Sequence, residues 1–92
     1  NLAALLDDLV GDERNVLLTL ARMAVTLETG RILPKHEAAD LVLPSLPEPH
    51  QSLLSLAARG YLGDVKDEWS GLQQEASDAA NHLADRIRAH RP

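Results

Sequence analysis

Gly11-Asp12-Glu13-Arg14-Asn15-Val16-Leu17-Leu18-Thr19-Leu20-Ala21-Arg22 opens the segment around which the rest of the chain is organised. Projected at the helical repeat, Asp12, Asn15, Thr19, Arg22 and Thr26 fall on one narrow polar stripe. Val16, Leu20, Met23 and Leu27 begin an apolar arc that continues through Leu17, Ala21 and Ala24 around most of the remaining circumference. A surface helix has the reverse proportion, one apolar stripe under a broad solvated face. The pattern predicts a central helix from Asp12 to Glu28, stopped at Thr29-Gly30, where glycine takes the left-handed cap. Its stripe places an acid, an amide and a guanidinium on the least exposed helix of a small domain. Those groups either pair with one another or face a cleft.

The 92 residues suffice for a single domain with a single core. Apolar residues make up 45% of the chain and aromatics only 2%, so Leu, Ala and Val fill that core. Such a composition suits helix-on-helix packing better than a sheet, which favours β-branched and aromatic side chains. A net charge of −5 argues against non-specific binding to nucleic acid or to an anionic membrane. The local exception, Arg86-Ile87-Arg88-Ala89-His90-Arg91, reads as positive charge complementing the dipole of a last helical turn. With no cysteine, disulfides and thiolate metal sites are excluded, and a cytoplasmic setting is the expectation. No apolar run approaches the ~20 residues that span a bilayer, and no signal peptide is recognised. The chain starts at Asn1 in what reads as the middle of a helix, so it is read as a fragment of a longer protein, the missing part lying upstream.

Leu2, Leu5, Leu6 and Leu9 recur at helical spacing before the central helix. After it, Ile32-Leu33 forms a short connector, and Pro34 starts a helix that runs from Lys35 to Leu43 and stops at Pro44. Leu46-Pro47-Glu48-Pro49 is a stiff link. His50 to Gly60 gives a fourth helix, with Leu53, Leu54, Leu56, Ala57 and Ala58 inward. The last helix is expected to start at Asp64 or Asp67, with Trp69, Leu72, Ala76, Ala79, Leu83 and Ile87 along one seam. The fold class is therefore all-α, a bundle of four to five helices joined by short loops.

Each candidate site has a plainer structural reading beside it. His36 and Asp40 are four apart on a helix, as metal ligands can be, yet with no third ligand they are ordinary surface residues. His82 with Asp78 or Asp85 is no stronger. No Ser-His-Asp arrangement, phosphate-binding glycine loop or HExxH motif is present, so no catalytic or metal-binding residue is assigned. Asp12 reads as a helix cap, and Arg22 as a salt bridge inside the bundle, to Asp12 or Asp40. Lys35 is a first-turn lysine. Tyr61 plugs the end of the core with its ring and keeps its hydroxyl wet. Composition and spacing alone stop at a helical bundle.

Taken in order, however, the segments resemble a known family. Gly11-Asp12-Glu13-Arg14-Asn15 through Arg22, then Glu28-Thr29-Gly30-Arg31-Ile32, Pro34-Lys35, Ala38-Ala39-Asp40, Leu46-Pro47 and Tyr61-Leu62-Gly63 look like the C-terminal helical domain of the streptomycin/spectinomycin (aminoglycoside 3''/9) adenylyltransferases. The likeness runs from about Leu5 to Gly63 with the spacing of separated motifs preserved, and the last helix matches only in character. Ala24, Val25 and Leu41 depart from it, standing where members commonly have aromatic residues. They read as packing sites.

The resemblance implies an antibiotic-resistance enzyme that transfers AMP from ATP to a hydroxyl of an aminoglycoside or aminocyclitol. In that family an N-terminal nucleotidyltransferase domain carries the catalytic base and the paired aspartates that hold Mg²⁺, and none of these is in this chain. The helical domain closes the cleft from the other side and is not expected to catalyse alone. By resemblance, Asp12 is the drug-binding aspartate, Asn15, Arg22 and Lys35 face the triphosphate, and Tyr61 contacts the nucleotide. Members that accept streptomycin carry a Trp and then an Asp ahead of this motif. Asp8 sits where that Asp would be, but the Trp position falls at Ala3, which implies a preference for spectinomycin. The competing reading is a non-catalytic interaction bundle whose polar stripe is an internally satisfied network.

Overall fold

A computed structural model describes residues 1–90, and among them there are five α-helices and no strand. They are α1 (Leu2–Asp7), α2 (Glu13–Thr29), α3 (Lys35–Val42), α4 (His50–Leu62) and α5 (Gln73–Ala89), with a 3₁₀ turn at Leu43–Ser45 between α3 and α4. Arg91, in the basic tail, lies outside the described residues.

The central position of α2 follows from its sequence. Val16, Leu17, Leu18, Leu20, Ala21 and Ala24 are wholly buried, and Val25 nearly so. Helices α3, α4 and α5 all pack against it. Each of the partners contributes small or branched residues: Ala38, Ala39 and Val42 from α3, Leu53, Leu54 and Ala57 from α4, and Ala79, Ala80 and Leu83 from α5. The alanines let the backbones approach closely, so the core forms without aromatic bulk. Helix α1 lies against α5, and Leu9 after it is buried. Gly30 ends α2 at φ 74°, a left-handed conformation that a side chain would strain, and its N–H bonds the Thr26 carbonyl.

Four expectations are corrected. The apolar arc of α2 frays at its far end, where Met23 is half-buried and Leu27 is 47% exposed. The third helix ends at Val42 and tightens into the 3₁₀ turn, because Pro44 has no N–H to continue the α-helical ladder. Helix α4 runs two residues past Gly60, so Tyr61 lies in its last turn. The last helix starts at Gln73, not at Asp64 or Asp67. The cause is the indole Nε1 of Trp69, which donates to Asp67 Oδ2 at 2.7 Å. Side chains two apart do not face each other on a helix, so this bond holds the segment in a loop. Trp69 and Leu72 still pack against the core from there.

Candidate functional site

The polar stripe of α2 keeps its place on the surface because the rest of the helix is committed to the core. Asp12, Asn15 and Arg22 are exposed, and Thr19 and Thr26 half-buried. Asp12 occupies the N-cap position, but its carboxylate makes no capping hydrogen bond. Only its backbone carbonyl serves the helix, accepting from Val16 N–H at 3.0 Å. The carboxylate turns instead along the stripe, where Oδ2 accepts from Asn15 Nδ2 at 3.2 Å. The capping role expected of the side chain is thus replaced by a side-chain relay.

Lys35 completes that relay from α3. Its Nζ donates to Asn15 Oδ1 at 2.5 Å across twenty residues of chain. The orientation of the Asn15 amide is fixed by chemistry: an ammonium has only protons to give and a carboxylate only lone pairs. The oxygen must therefore face Lys35 and the NH₂ face Asp12. Asparagine here joins an anion to a cation that do not touch directly. Tyr61 reaches α3 at the residue after Lys35, its ring stacked on His36 with centroids 6.3 Å apart and planes at 23°. At 51% exposure the ring leans on α3 rather than filling the core. Arg22 lies on the same face of α2 seven residues after Asn15, about 10 Å along the axis. Neither the expected bridge to Asp12 nor one to Asp40 forms, and Arg22 has no ion pair among the described residues. With Met23, Thr26 and Leu27 it lines a shallow, mainly apolar groove of about 270 Å³.

Asp12, Asn15 and Lys35 are thus joined, Tyr61 is adjacent through His36, and Arg22 flanks them. Asp8 is not part of the group. It is the exposed C-cap of α1, and no hydrogen bond or ion pair of its carboxylate links it to Asp12 among the described residues. Ala3 is exposed on α1.

Sequence reasoning missed two long-range ties that hold the stripe in place. Arg14 Nη1 donates to the Gly60 carbonyl at 3.1 Å and to Asp67 Oδ1 at 3.2 Å. With the Trp69 bond to Asp67, this pins the start of α2 to the end of α4 and to the loop before α5. At the opposite end, Arg86 makes a two-point contact with Glu28 and also donates to Ser45 Oγ at 2.7 Å. The Arg86 hydrogen bond, ahead of its charge and that of His90 and against partial desolvation, holds the Glu28 carboxyl below its ordinary range. Arg86 is raised in turn. The basic tail is therefore more than a dipole complement, since among the described residues only Arg88 pairs within its own helix, with Asp85. His50 faces His82 across α4 and α5 with ring centroids 4.7 Å apart. Among the described residues no three His, Cys, Asp or Glu side chains converge as metal ligands.

Residues 1–86 match the family described as "Aminoglycoside adenylyltransferase, C-terminal domain". The chain belongs to that family. It is 41% identical over 87 residues to the spectinomycin 9-adenylyltransferase of Staphylococcus aureus, covering 95% of this chain and 34% of that protein. It is 35% identical over 80 residues to the aminoglycoside (3'') (9) adenylyltransferase of Escherichia coli, covering 87% of this chain and 30% of that one. Among solved structures, the crystal structure of a spectinomycin adenyltransferase from Enterococcus faecalis, determined with ATP and spectinomycin, superposes with a TM-score of 0.86 at 37% identity. That match takes in 95% of this chain and 34% of the other. The chain thus spans about a third of the length of the relatives it matches. As a C-terminal domain of this family it fills two of the three departing positions as packing sites, Ala24 and Val25 being buried. Leu41 is 52% exposed on α3, so that position is a surface site and not a core one.

Proposed function

We propose that this domain is the closing half of an aminocyclitol or aminoglycoside O-adenylyltransferase, acting with a nucleotidyltransferase domain elsewhere in the same protein. A drug hydroxyl oxygen attacks the α-phosphorus of ATP, the bond to the bridging oxygen breaks, and pyrophosphate leaves with that electron pair. The hydroxyl proton passes to a base outside this chain. The observation that carries the reading is the Asp12–Asn15–Lys35 relay, which sets an exposed carboxylate at one end of a surface stripe and an ammonium at the other.

Each end suits one substrate. A carboxylate freed from capping accepts from an amine or hydroxyl of a cationic drug. Lys35 and, further along, Arg22 offset the charge of a triphosphate, which is where phosphate transfer depends most on fixed positive charge. Tyr61 contributes an aromatic face and a hydroxyl beside Lys35. Because this chain offers no converging set of three ligands among its described residues, a Mg²⁺ accompanying ATP is assigned to the other domain. Bound there, it would supply screening and polarisation of the phosphates, while the residues here orient the two substrates. Asp8 is kept as an outlying contact, reached only by a large substrate. With alanine at position 3, spectinomycin is the favoured drug and streptomycin the lesser one.

That Arg22 is exposed with no ion pair among the described residues favours this reading over a self-satisfied interaction bundle, in which the stripe's guanidinium would be paired. The test is pyrophosphate release by the full-length protein given ATP and spectinomycin. Release that depends on the drug supports the proposal, and its absence with spectinomycin and streptomycin alike sinks it.

A further inference from the structure

The stripe reaches its acidic end at Asp12, but the polar surface continues past it. Gly11, Asp12, Glu13, Arg14, Asp67 and Trp69 line a separate pocket of about 200 Å³ at the start of α2. Glu13 is the one charged residue buried among the described residues, at 6% exposure. A carboxylate withdrawn from water costs several kcal/mol unless a donor or a cation meets it. Yet among the described residues Glu13 has no ion pair and no hydrogen-bond partner. Its oxygens are not sealed in either, since the fully enclosed side-chain atoms without a partner are His36 Nδ1 and His50 Nδ1. Glu13 is one of the residues that line the pocket.

The neighbouring guanidinium does not serve it. Arg14 is committed to the Gly60 carbonyl and to Asp67. Asp67 in turn uses its second oxygen on the Trp69 indole N–H. Arg14 and Asp67 neutralise each other, and the remaining side-chain charge of the pocket comes from Glu13 and from Asp12, whose Oδ2 accepts from Asn15. An anionic ligand is excluded by that sign. A hard metal ion gathers six or more oxygen ligands, and two carboxylates, one of them already accepting from Asn15, with no third ligand converging among the described residues do not supply them. An organic ammonium needs fewer acceptors. Trp69 borders the pocket, its ring held in place by the N–H bond to Asp67, which is itself tethered.

We infer that this pocket seats an alkylammonium group of the cationic substrate, with Glu13 as the buried counter-charge, Asp12 at the rim and Trp69 at its border. The inference rests on the proposed function and extends its drug-binding end beyond Asp12. It also accounts for a partnerless carboxylate at the start of the most buried helix: the partner arrives with the substrate.

The experiment uses the full-length protein and the variant Glu13→Gln, which keeps the shape and removes the charge. The KM for spectinomycin is expected to rise by about tenfold or more, the equivalent of one charged hydrogen bond. The KM for ATP is expected to stay unchanged, with an unchanged or raised melting temperature. If Asp12→Asn raises the drug KM while Glu13→Gln leaves it alone, the pocket is overturned and the function stands. If neither variant moves it, the proposed function fails first. Equal rises for drug and ATP, or a collapse in stability, would make Glu13 structural and overturn the inference. A second measurement does not depend on that variant: titrating spectinomycin into wild type and Trp69→Phe and taking the difference in tryptophan emission. A saturable difference supports the pocket, and no difference overturns it.

Discussion

Arg86 grips Glu28 at two points across fifty-eight residues of chain, Nε to Oε2 at 2.6 Å and Nη2 to Oε1 at 2.7 Å. Both side chains keep 28% of their surface exposed, so the pair is partly screened and is worth about 1 kcal/mol, at the upper end for surface pairs. It ties the C-terminal half of α5 to the last turns of α2, and Ser45 adds the 3₁₀ turn to the same knot.

This contact has a defined pH dependence. The folded Glu28 carboxyl lies below its ordinary value of 4.5, first through the Arg86 hydrogen bond. A depressed acid stabilises the fold fully above the unfolded value, and that contribution is lost as pH falls through the folded one. Thermal melts of wild type and Glu28→Gln are expected to differ by about 1 kcal/mol near neutrality. The gap is expected to close as the pH drops below 4.5. A gap that persists into acid would mean that the pair contributes by packing and not by charge.

Gly60 is the second mechanical test. Replacing an exposed helical glycine by alanine usually stabilises by roughly 1 kcal/mol. Here a Cβ would lie 2.5 Å from Asp67 Cγ and Oδ1, and Asp67 cannot swing away without releasing Arg14 and Trp69. Gly60→Ala is expected to cost about 1–3 kcal/mol, as overpacking does. On an Asp67→Gly background, which also removes the Asp67 Cβ that would lie 2.8 Å away, the same change is expected to become neutral or favourable, which a double-mutant cycle in chemical denaturation reads directly.

Arg22 separates binding from folding. Exposed and without an ion pair among the described residues, it is expected to tolerate Arg22→Ala within about 0.5 kcal/mol of stability. In the full-length protein the KM for ATP is expected to rise by about tenfold or more, through loss of a charged phosphate contact. Steady-state kinetics beside a melting curve decides it. A destabilised protein with unaltered ATP dependence would return Arg22 to a structural role.

Much of this fold was legible because its information is local. The apolar arc of α2 and the glycine that caps it are carried by residues within one or two turns of each other, and both were read from spacing. The Arg14–Asp67 and Arg86–Glu28 contacts were not legible, because periodicity says nothing about partners more than fifty residues away. The start of α5 was misplaced for a related reason: Trp69 fits a helical seam by spacing, and only its bond to Asp67 shows it in a loop. For the site, the stripe itself was visible, but its wiring was not. Asp12 carries the residue type and position of a cap, and the turn of its carboxylate towards Asn15 depends on Lys35 arriving from α3. Glu13 gave no signal, since an acid in a first helical turn is ordinary.

Under the proposed function, drug preference is expected to follow from the exposed surface of α1. Ala3 offers neither a π-face nor the contact area of an indole, and Asp8 stands apart from Asp12. A susceptible host expressing the full-length protein is expected to grow at higher spectinomycin than streptomycin, relative to its own baseline for each. Strong streptomycin resistance that survives Asp8→Ala would contradict this.

The central claim is that Asp12 is a substrate carboxylate, and Asp12→Asn tests it most directly. The side chain makes no capping bond, and Asn is as good an N-cap residue as Asp, so the melting curve is expected to stay in place. Calorimetric titration of the full-length protein with spectinomycin in the presence of ATP is expected to show affinity reduced by about 1.5–3 kcal/mol, the loss of one charged hydrogen bond. Equal affinity in wild type and variant would contradict the account.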